Sequence, residues 1–533
     1  MKEKIKNNLN IIITSILISI AINIEILMKN NPNTIRFLSN INYFFLFIKF
    51  ILIGSLSFLI LKFLVKRIEK INLNTSNYQD KQIKKSFLIS FITLFVVWII
   101  SYLTFFPGGA DYDTFYQLTS PGAASSQHPI GYSYLLNIFT IKIGYNILGN
   151  GIIGFGIFTF LQMLFIIFTL SYTLAFLAKR KVSPILLSII LGIYAFTPIY
   201  ASYSIFAVKD VLFASLLIYL FLLLTKIIET KGAYLSNKKF IIYYIILNTT
   251  MFLTRSNAFV IYIITSIILI IRYKKYFNKK MLILLLVPFI INTSANKIIQ
   301  KRYNVKHYFQ ESMAIPLQQI SAVVANNGNL SRGEKDLVSH LLSFEEIKKS
   351  YNHGTVDPIK WHKDFDREYL QINKLRFLKN WGTILLKNLD IYIESYAYQT
   401  ESFWSVGLIT DGHNMYYDVF SNTTDTYVET QKERYNLFQK DLFPNSIEEK
   451  LENFYYKYSQ YLYPGTCIWL IIISMLLSSY KNKEYTLLYI PYLAMWISMM
   501  CATPLSFSLR YMFPFILIFP ILLSVPLMIK ERS

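Results

Sequence analysis

Long apolar runs constrain this chain more than any other feature of its sequence. About twelve of them approach the roughly 17–25 residues that a helix needs to cross the hydrocarbon core of a bilayer. They fall near residues 10–28, 43–63, 86–105, 152–177, 184–205, 210–227, 239–254, 257–272, 280–297, 465–480, 485–501 and 508–528. A chain that is 54% hydrophobic and only 16% charged is not an ordinary soluble globule. We therefore predict an all-α polytopic membrane protein with about twelve transmembrane helices.

Lysine and arginine are concentrated in alternate short loops. The N-terminus and the loops at 66–85, 179–181, 226–239, 272–280, 481–483 and 530–532 hold about two dozen of them, and the opposite short loops hold about five. Because cytoplasmic loops carry the excess of basic residues, both termini of this multi-pass cell-membrane protein are predicted to be cytoplasmic. The same pattern accounts for the formal charge of +22, so nucleic acid is not a predicted partner.

The apolar runs divide the chain into four parts. These are an N-terminal pair of transmembrane helices (1–65), a transmembrane core (66–297), a hydrophilic region (298–464) and C-terminal transmembrane helices (465–533). The hydrophilic region is predicted to be extracellular and mainly helical. One sign of helix is Ser331-x-x-Glu334, a spacing at which both side chains bond to free backbone N–H groups at a helix start.

The outward loop 106–132, FPGGADYDTFYQLTSPGAASSQHPIGY, is a polar island between apolar runs. Asp111 and Asp113 are two residues apart, so in an extended loop both carboxylates point to one side. There they would share a divalent cation such as Mg²⁺ or Mn²⁺, or one would act as a general base. His128 precedes Pro129 at a predicted helix start, where it would bind an anion or transfer a proton. Asp111, Asp113 and His128 are therefore candidate catalytic residues, although loop aspartates also simply form turns.

Three basic residues lie near the outward ends of predicted spans. Lys209 and Arg255 occupy short outward turns, and Arg510 lies just inside the outer end of the last span. Charged groups at such depth usually face a cavity or a partner, and they would suit a phosphate. The alternatives are an ion pair between Lys209 and Asp210, and extension of Arg510 to the lipid headgroups. We predict that Lys209, Arg255 and Arg510 bind a donor phosphate.

Further polar residues are candidates for a substrate cleft. Asn257 shares the turn of Arg255, and Glu311, Gln318 and Gln319 follow the ninth predicted span. An acid and a glutamine pair beside a membrane boundary would form one wall of a polar cleft.

The interiors of the predicted spans are almost free of ionisable groups. Glu25 and Lys49, in the outer portions of the first two spans, are the main exceptions, and we predict that they pair with each other across the two helices. Ion-coupled transporters usually place carboxylates near the membrane midplane, so this pattern favours an enzyme over a transporter.

The arrangement resembles the GT-C class of membrane glycosyltransferases. The matching features are an acidic pair in the first major outward loop, an interfacial helix after it, many spans and a large outward region. The stretches FPGGADYDTFYQ, SQHPIGYSYLL, AVKDVLFA, LTRSNAFV, ESMAIPLQQI and SLRYMFPF are also similar to a widespread family of multi-pass proteins from Gram-positive bacteria. Residues 1–65 depart from the GT-C pattern, because they place two spans before the span that leads into the acidic loop.

The GT-C resemblance implies a reaction and its partners. In that class the acidic motif of the first outward loop is catalytic, often with a divalent cation, and the donor is a polyprenyl-phosphate sugar at the outer leaflet. Asp111 and Asp113 are the matching positions, and the acceptor would be a cell-envelope glycan or glycolipid. One carboxylate would deprotonate the acceptor hydroxyl, while cations offset the charge of the leaving phosphate. Three alternatives stay open: an envelope polysaccharide polymerase or ligase, a transporter or flippase of envelope precursors, and a non-catalytic assembly protein.

Overall fold

A computed structural model describes residues 2–31, 38, 41–71, 78–305, 309–407, 426–438, 440, 442–459, 463–506 and 508–528. These residues are almost entirely helical, and the only β-structure among them is a few isolated bridges. The predicted all-α class is confirmed. The predicted basic segment 530–532 and part of the loop 66–85 lie outside the described residues.

Within these ranges, thirteen α-helices precede the hydrophilic region. They are α1 (Lys2–Asn30), α2 (Tyr43–Lys70), α3 (Asp80–Thr104), α4 (Tyr112–Thr119), α5 (Ile130–Asn137), α6 (Gly151–Lys179), α7 (Pro184–Phe196), α8 (Pro198–Ser204), α9 (Lys209–Glu229), α10 (Lys238–Thr254), α11 (Ala258–Arg272), α12 (Lys279–Leu284) and α13 (Val287–Arg302). A π-helix, Ile138–Tyr145, continues α5.

The later part of the chain is helical as well. It forms α14 (Ala314–Ala325), α15 (Arg332–Leu341), α16 (Phe344–Ser350), α17 (Asp357–Lys360), α18 (Arg367–Ile372), α19 (Lys374–Lys387), α20 (Leu389–Thr400), α21 (Thr426–Tyr435), α22 (Asn445–Ser459), α23 (Pro464–Lys481), α24 (Ile490–Ala502) and α25 (Leu509–Met528). The predicted capping box is present at the start of α15, where the Ser331 amide donates to the Glu334 carboxylate at 2.7 Å.

Nine helical segments within the described ranges are long and apolar enough to cross a membrane, which confirms the polytopic class. The other three predicted runs differ. The run 184–205 is the pair α7–α8, bent by 61° where Pro198 begins the second helix. The runs 239–254 and 257–272 are α10 and α11, with 17 and 15 residues. At 1.5 Å per residue these two helices are only about 25 and 23 Å long, against a hydrocarbon core of about 30 Å. Twelve spans therefore remain a prediction.

Helix α25 lies in the main core although prolines interrupt its backbone hydrogen bonding. A proline inside a helix leaves the carbonyl four residues earlier without its N–H donor. Pro520 frees the Ile516 carbonyl, which accepts from the Tyr200 hydroxyl at 3.0 Å. Pro526 frees the Leu522 carbonyl, which accepts from two hydroxyls on neighbouring segments at 2.6 and 3.1 Å. These bonds fix α25 against the segments around it. They also satisfy carbonyl groups that would find no hydrogen-bond donor in lipid, which agrees with the buried position of α25.

A second hydrophobic core lies within residues 314–404, and α1 packs against it. The Glu25 carboxylate accepts from the backbone amides of Val406 and Gly407 at 2.7 and 3.0 Å and lies 3.7 Å from Lys29. These contacts replace the predicted Glu25–Lys49 pair. Two backbone N–H groups in direct hydrogen-bond contact therefore hold this carboxylate.

The described parts of the predicted region 298–464 contribute to two hydrophobic cores. Only its first part builds the second core, whereas α21 and α22 pack on the main core. The Tyr427 hydroxyl on α21 hydrogen-bonds Thr119 of α4 at 2.8 Å, and the Tyr455 hydroxyl on α22 bonds Ser101 of α3. The end of this region therefore lies beside the acidic loop.

Candidate functional site

Two loops pair with each other and so bring distant charged residues together. Gly109 forms a parallel bridge with Phe206: its amide donates to Ile205 at 3.0 Å, and its carbonyl accepts from Ala207 at 2.8 Å. Gly108 beside it has φ +107°, and a Cβ there would lie 2.4 Å from the Ile205 carbonyl oxygen. This close approach requires glycine. It sets the acidic loop next to the start of α9.

Asp111 and Asp113 are held by one guanidinium. Nη1 of Arg510 lies 2.5 Å from Oδ2 of Asp111 and 2.7 Å from Oδ2 of Asp113. The other Asp111 oxygen caps α4, accepting from the amide of Thr114 at 2.8 Å and from its hydroxyl at 2.7 Å. Both Asp111 oxygens are therefore in use. Oδ1 of Asp113 has no hydrogen bond of ordinary length within the described residues.

His128 lies behind Asp113 and contacts Lys209. Its Nδ1 is 2.7 Å from Nζ of Lys209, and its Nε2 is 3.7 Å from Oδ1 of Asp113. An ammonium only donates, so Nδ1 accepts and the ring proton is on Nε2, directed towards Asp113. Burial, together with the positive charge of Lys209, lowers the pKa of His128 to about 3, so the ring is neutral at physiological pH.

The carboxyl group of Asp113 is ionised. Burial opposes its charge, but the positive charge of Arg510, together with that of Lys209, outweighs burial and holds the pKa of Asp113 well below its usual range. A carboxylate with so low a pKa accepts a proton readily only when the cation beside it is drawn away.

A second buried ion pair lies next to Lys209. The carboxylate of Asp210 is fully buried and pairs with the guanidinium of Arg255. Arg255 also lies over the rings of Phe213 and Tyr511, with its guanidinium carbon 5.8 and 5.4 Å from their centroids. The predicted alternative of a Lys209–Asp210 pair is wrong, because each residue has another partner. The absence of an acid beside Arg255 in the sequence was no guide to its surroundings.

We call these seven side chains the charge cluster: Asp111, Asp113, His128, Lys209, Asp210, Arg255 and Arg510. Because His128 is neutral, the three negative and three positive formal charges of the charge cluster cancel. Asp111 and Asp113 are about a quarter exposed, whereas the side chains of Asp210 and Arg255 are buried. One edge of the cluster is accessible and its interior is fixed, as a binding site requires.

The accessible carboxylates do not fit a bridging metal ion in this arrangement. A divalent cation shared by Asp111 and Asp113 would take the position between their Oδ2 atoms, and Nη1 of Arg510 is already there. Within the described ranges, no group of three or more His, Cys, Asp or Glu side chains is placed to hold a metal. In this arrangement the guanidinium of Arg510 supplies the positive charge between the two carboxylates, and Mg²⁺ or Mn²⁺ stays a prediction.

The predicted cleft residues are divided between other places. Asn257 donates to the Ser498 hydroxyl at 3.2 Å, which fixes the turn of Arg255 on α24. Gln318 donates to backbone carbonyls of the second core, and Gln319 accepts from an indole N–H there. Glu311 lies 3.4 Å from an ammonium of the same region. Asn257 and Arg255 also both donate to the sulfur of Met499, at 3.6 and 3.7 Å. The contacts of the other three residues do not reach the charge cluster, so a cleft that unites all four stays a prediction.

Two functional contacts could not be read from the sequence. The sequence offers Asp210 as a partner for its neighbour Lys209, and it offers Arg510 to phosphate or lipid headgroups. Neither the Asp210–Arg255 pair nor the bonds of Arg510 to the aspartates follows from it. The one signal in the sequence is that these charged residues lie near the ends of apolar runs, where an unpaired charge is costly. It indicates that each has a partner but does not identify the partner.

The fold and the charge cluster place this chain in a class of proteins: polytopic helical membrane proteins with buried and half-buried ion pairs at their helix ends. More narrowly, the chain belongs to the family of unknown function DUF6020, whose family model matches residues 118–532. The matched range contains His128 and the three cations of the cluster, and it begins after Asp111 and Asp113. No curated protein and no solved structure matches the chain.

Proposed function

We propose that this protein is a GT-C-like membrane glycosyltransferase. It moves a sugar from a polyprenyl-phosphate donor to a glycan or glycolipid acceptor of the cell envelope. The observation that carries the proposal is the half-buried pair Asp111–Asp113, held by Arg510 with Lys209 close by. Such a site offers a general base and positive charge at one place, which glycosyl transfer from a phosphate requires.

The membrane setting is part of the same proposal. The alternation of basic loops favours cytoplasmic termini, so the charge cluster faces the outside of the cell membrane. A polyprenyl-phosphate donor reaches such a site from the outer leaflet, and an envelope acceptor reaches it from the aqueous side.

Asp113 is the general base in this mechanism, and Asp111 is a positioning residue. The Oδ1 atom of Asp113 is free to accept a proton, whereas both oxygens of Asp111 bind the helix start and Arg510. The Nε2–H group of His128 faces Oδ1 of Asp113 at 3.7 Å, which is too far for a hydrogen bond and leaves that oxygen available. Lys209 keeps the proton of His128 on that nitrogen.

The charges of protein and substrate change in a complementary way. The acceptor O–H bond breaks and its proton passes to Asp113. The acceptor oxygen bonds to the anomeric carbon, and the bond from that carbon to the phosphate oxygen breaks. Its electron pair leaves on the phosphate, which gains one negative charge. The cluster, neutral before the step, gains one positive charge as Asp113 is protonated, and this stabilises the leaving group.

Arg510 links donor binding to the activation of the base. An anionic donor phosphate competes with the two carboxylates for the guanidinium, because both form charge-assisted hydrogen bonds with it. As Arg510 turns towards the phosphate, Asp113 loses its strongest stabilising charge and its pKa rises towards that of a useful base. The acceptor is then deprotonated only when a donor is bound.

The test uses the full chain in phosphatidylcholine–phosphatidylglycerol vesicles. The donors are radiolabelled undecaprenyl-phosphate glucose, galactose and mannose, offered one at a time with cell-wall fragments as acceptor. Asp113→Asn is expected to reduce transfer by about 10²–10⁴-fold, the usual contribution of a general base. Asp111→Asn is expected to lose less, because asparagine also caps a helix.

The matched control is Asp390→Asn, which changes an exposed aspartate in the first turn of α20. Its transfer rate should equal that of the unmodified protein. Full activity of Asp113→Asn would remove Asp113 from the mechanism. Activity only with a lipid-diphosphate oligosaccharide would replace the proposal with a polymerase or ligase. Flipping of the labelled lipid without transfer would indicate a flippase.

A further inference from the structure

A cavity lies between the end of α1 and the beginning of α2, in the helical hairpin that precedes the residues matched by the family model. Its volume is about 230 Å³. That is room for roughly seven or eight waters at about 30 Å³ each, so it suits a small polar headgroup and not a whole lipid.

Helix α1 presents a regular stripe to this cavity. Asn23, Ile26, Leu27 and Asn30 line it, and their spacing of three, four and seven residues places them on one helix face. Two amides therefore flank two apolar side chains along the wall. Asn31, the next residue, extends the polar end.

Helix α2 presents the matching stripe. Asn42, Phe45, Leu46 and Lys49 line the cavity with the same spacing. Side chains of a helix lean towards its N-terminus, so the Lys49 chain extends towards Asn42 and the polar rim. The positive end of the α2 dipole lies at that rim as well, which adds to the attraction for an anion.

Two groups in the cavity lack partners within the described residues. Asn23 is 5% exposed; its amide nitrogen donates to Ser19, while its Oδ1 atom has no hydrogen bond. Lys49 has no carboxylate partner, since Glu25 is bound to the backbone of 406–407. Both side chains line the cavity, Asn23 with a buried acceptor and Lys49 with an exposed ammonium. A positive charge beside polar amides at the edge of lipid suits an anionic group.

The surroundings of the cavity are those of lipid. Over its most apolar 18 residues, only 6% of α2 is buried inside the protein. Tyr43, Phe44 and Phe45 at its first turn are 60–68% exposed, as aromatic residues of a membrane-interface belt are. Lys49 lies four residues beyond Phe45, about 6 Å further along the helix than this belt. A ligand that reaches the ammonium there comes from the headgroup layer.

We propose that this cavity is a binding site for the headgroup of an anionic phospholipid. Lys49 and the amides of Asn30 and Asn42 hold the phosphodiester, and Asn23 borders the headgroup on the α1 side. The site fastens the N-terminal hairpin to the membrane beside the second core, which α1 already contacts. It does not depend on the proposed enzymatic activity.

The competing explanation is that Lys49 merely extends along the helix to the bulk headgroup layer, as lysines near helix ends do. The two differ in stoichiometry and selectivity. A built site binds one phosphatidylglycerol in preference to phosphatidylcholine, whereas an extending lysine adds only diffuse attraction to any anionic surface.

The experiment measures lipid binding to the delipidated full chain by native mass spectrometry, with phosphatidylglycerol and phosphatidylcholine titrated separately. Lys49→Met is expected to weaken the tightest phosphatidylglycerol site by about tenfold or more, the usual effect of losing one charge-assisted contact. The control is Lys62→Met on the same helix, about 20 Å away over the ring of Phe58, which should leave that site unchanged.

Asn30→Leu gives a second test, because it removes an exposed amide of the cavity and leaves the charge of Lys49 in place. It should weaken phosphatidylglycerol binding too, even if Lys49→Met proves unstable. Equal affinity of Lys49→Met, Asn30→Leu and Lys62→Met would overturn the proposal. So would equal binding of the two lipids, or full displacement of phosphatidylglycerol by millimolar inorganic phosphate, which would indicate a site for the free anion.

Discussion

Replacing Arg510 with methionine is expected to turn Asp111 and Asp113 from partners of one cation into two charges that repel each other. Methionine keeps much of the apolar side-chain volume and removes the guanidinium. Because both carboxylates bond to the same nitrogen, at 2.5 and 2.7 Å, their Oδ2 atoms are no more than about 5 Å apart. Two like charges at that separation repel by about 3 kcal/mol at an effective dielectric constant of about 20.

The lost hydrogen bonds add to this repulsion, so the total cost is about 3–5 kcal/mol, the range for breaking a buried ion pair. The assay is thermal unfolding in detergent, followed by tryptophan fluorescence. An entropy of unfolding of about 2.1 cal/mol/K per residue over this chain makes 1 kcal/mol equal to about 1 °C, so the midpoint should fall by about 3–5 °C. Arg376→Met is the control, because its pair with Asp336 is at the surface and should cost less than about 1 kcal/mol.

A second substitution tests the cause. Adding Asp113→Asn to Arg510→Met removes one of the repelling charges and should restore about 2–3 kcal/mol. The single variant should also gain stability as the pH falls from 8 to 5. Repulsion raises the pKa of one carboxyl above its unfolded value, so the folded state binds the additional proton. The unmodified protein should show no such gain, since the pKa of its Asp113 is lowered.

Two results would refute this account of the cluster. One is simple additivity: Asp113→Asn would lower the stability of Arg510→Met by as much as it lowers the stability of the unmodified protein. The other is a pH profile of Arg510→Met that parallels that of the unmodified protein. Either result would mean that Arg510 does not neutralise the two aspartates.

Three further predictions concern single positions. Gly108→Ala should destabilise the protein by about 1–3 kcal/mol, since its Cβ would meet the Ile205 carbonyl at a positive φ; Gly333→Ala, with open space around it in α15, should be neutral or slightly stabilising. His128→Asn should reduce the loss of thermal stability between pH 7 and pH 5. Burial lowers the pKa of His128 to about 3, so below pH 6.5 the unfolded chain binds a proton that the folded protein does not, and the folded protein loses stability. Glu334→Gln should lower the free energy of unfolding of the second core by about 1–3 kcal/mol, as measured by limited proteolysis. In the unmodified protein this contribution should fade from pH 4.5 towards pH 2: burial opposes the charge of Glu334, but hydrogen bonds led by an ammonium outweigh it and lower the pKa to about 2.

Local features of the fold followed from the sequence. The capping box at Ser331 and Glu334 is a contact between residues three apart, so composition and spacing suffice to predict it. The bend within 184–205 also has a local cause in Pro198, although hydropathy alone merged the two helices into one run.

The candidate site was only half predictable for a physical reason. The sequence indicated Asp111, Asp113 and His128 as catalytic candidates in one polar loop, and Lys209, Arg255 and Arg510 as charged groups in costly positions. It did not indicate that Arg510 holds both aspartates, because the partners are almost 400 residues apart along the chain. Nor did it indicate that Asp210 would choose Arg255 over its neighbour Lys209.

The sequence by itself determined that this protein is a helical membrane protein, because the length of an apolar run is matched against a bilayer and needs no partner. It also determined which side chains must find a counter-charge, because the cost of an unpaired charge near lipid is a property of the residue and its depth. Tertiary structure decided the pairing. The bridge between Gly109 and Phe206 joins two loops that are remote in sequence, and the entry of α25 beside them brings Arg510 to both aspartates. Electrostatic pairing depends on distance in space, which only the packed helices define.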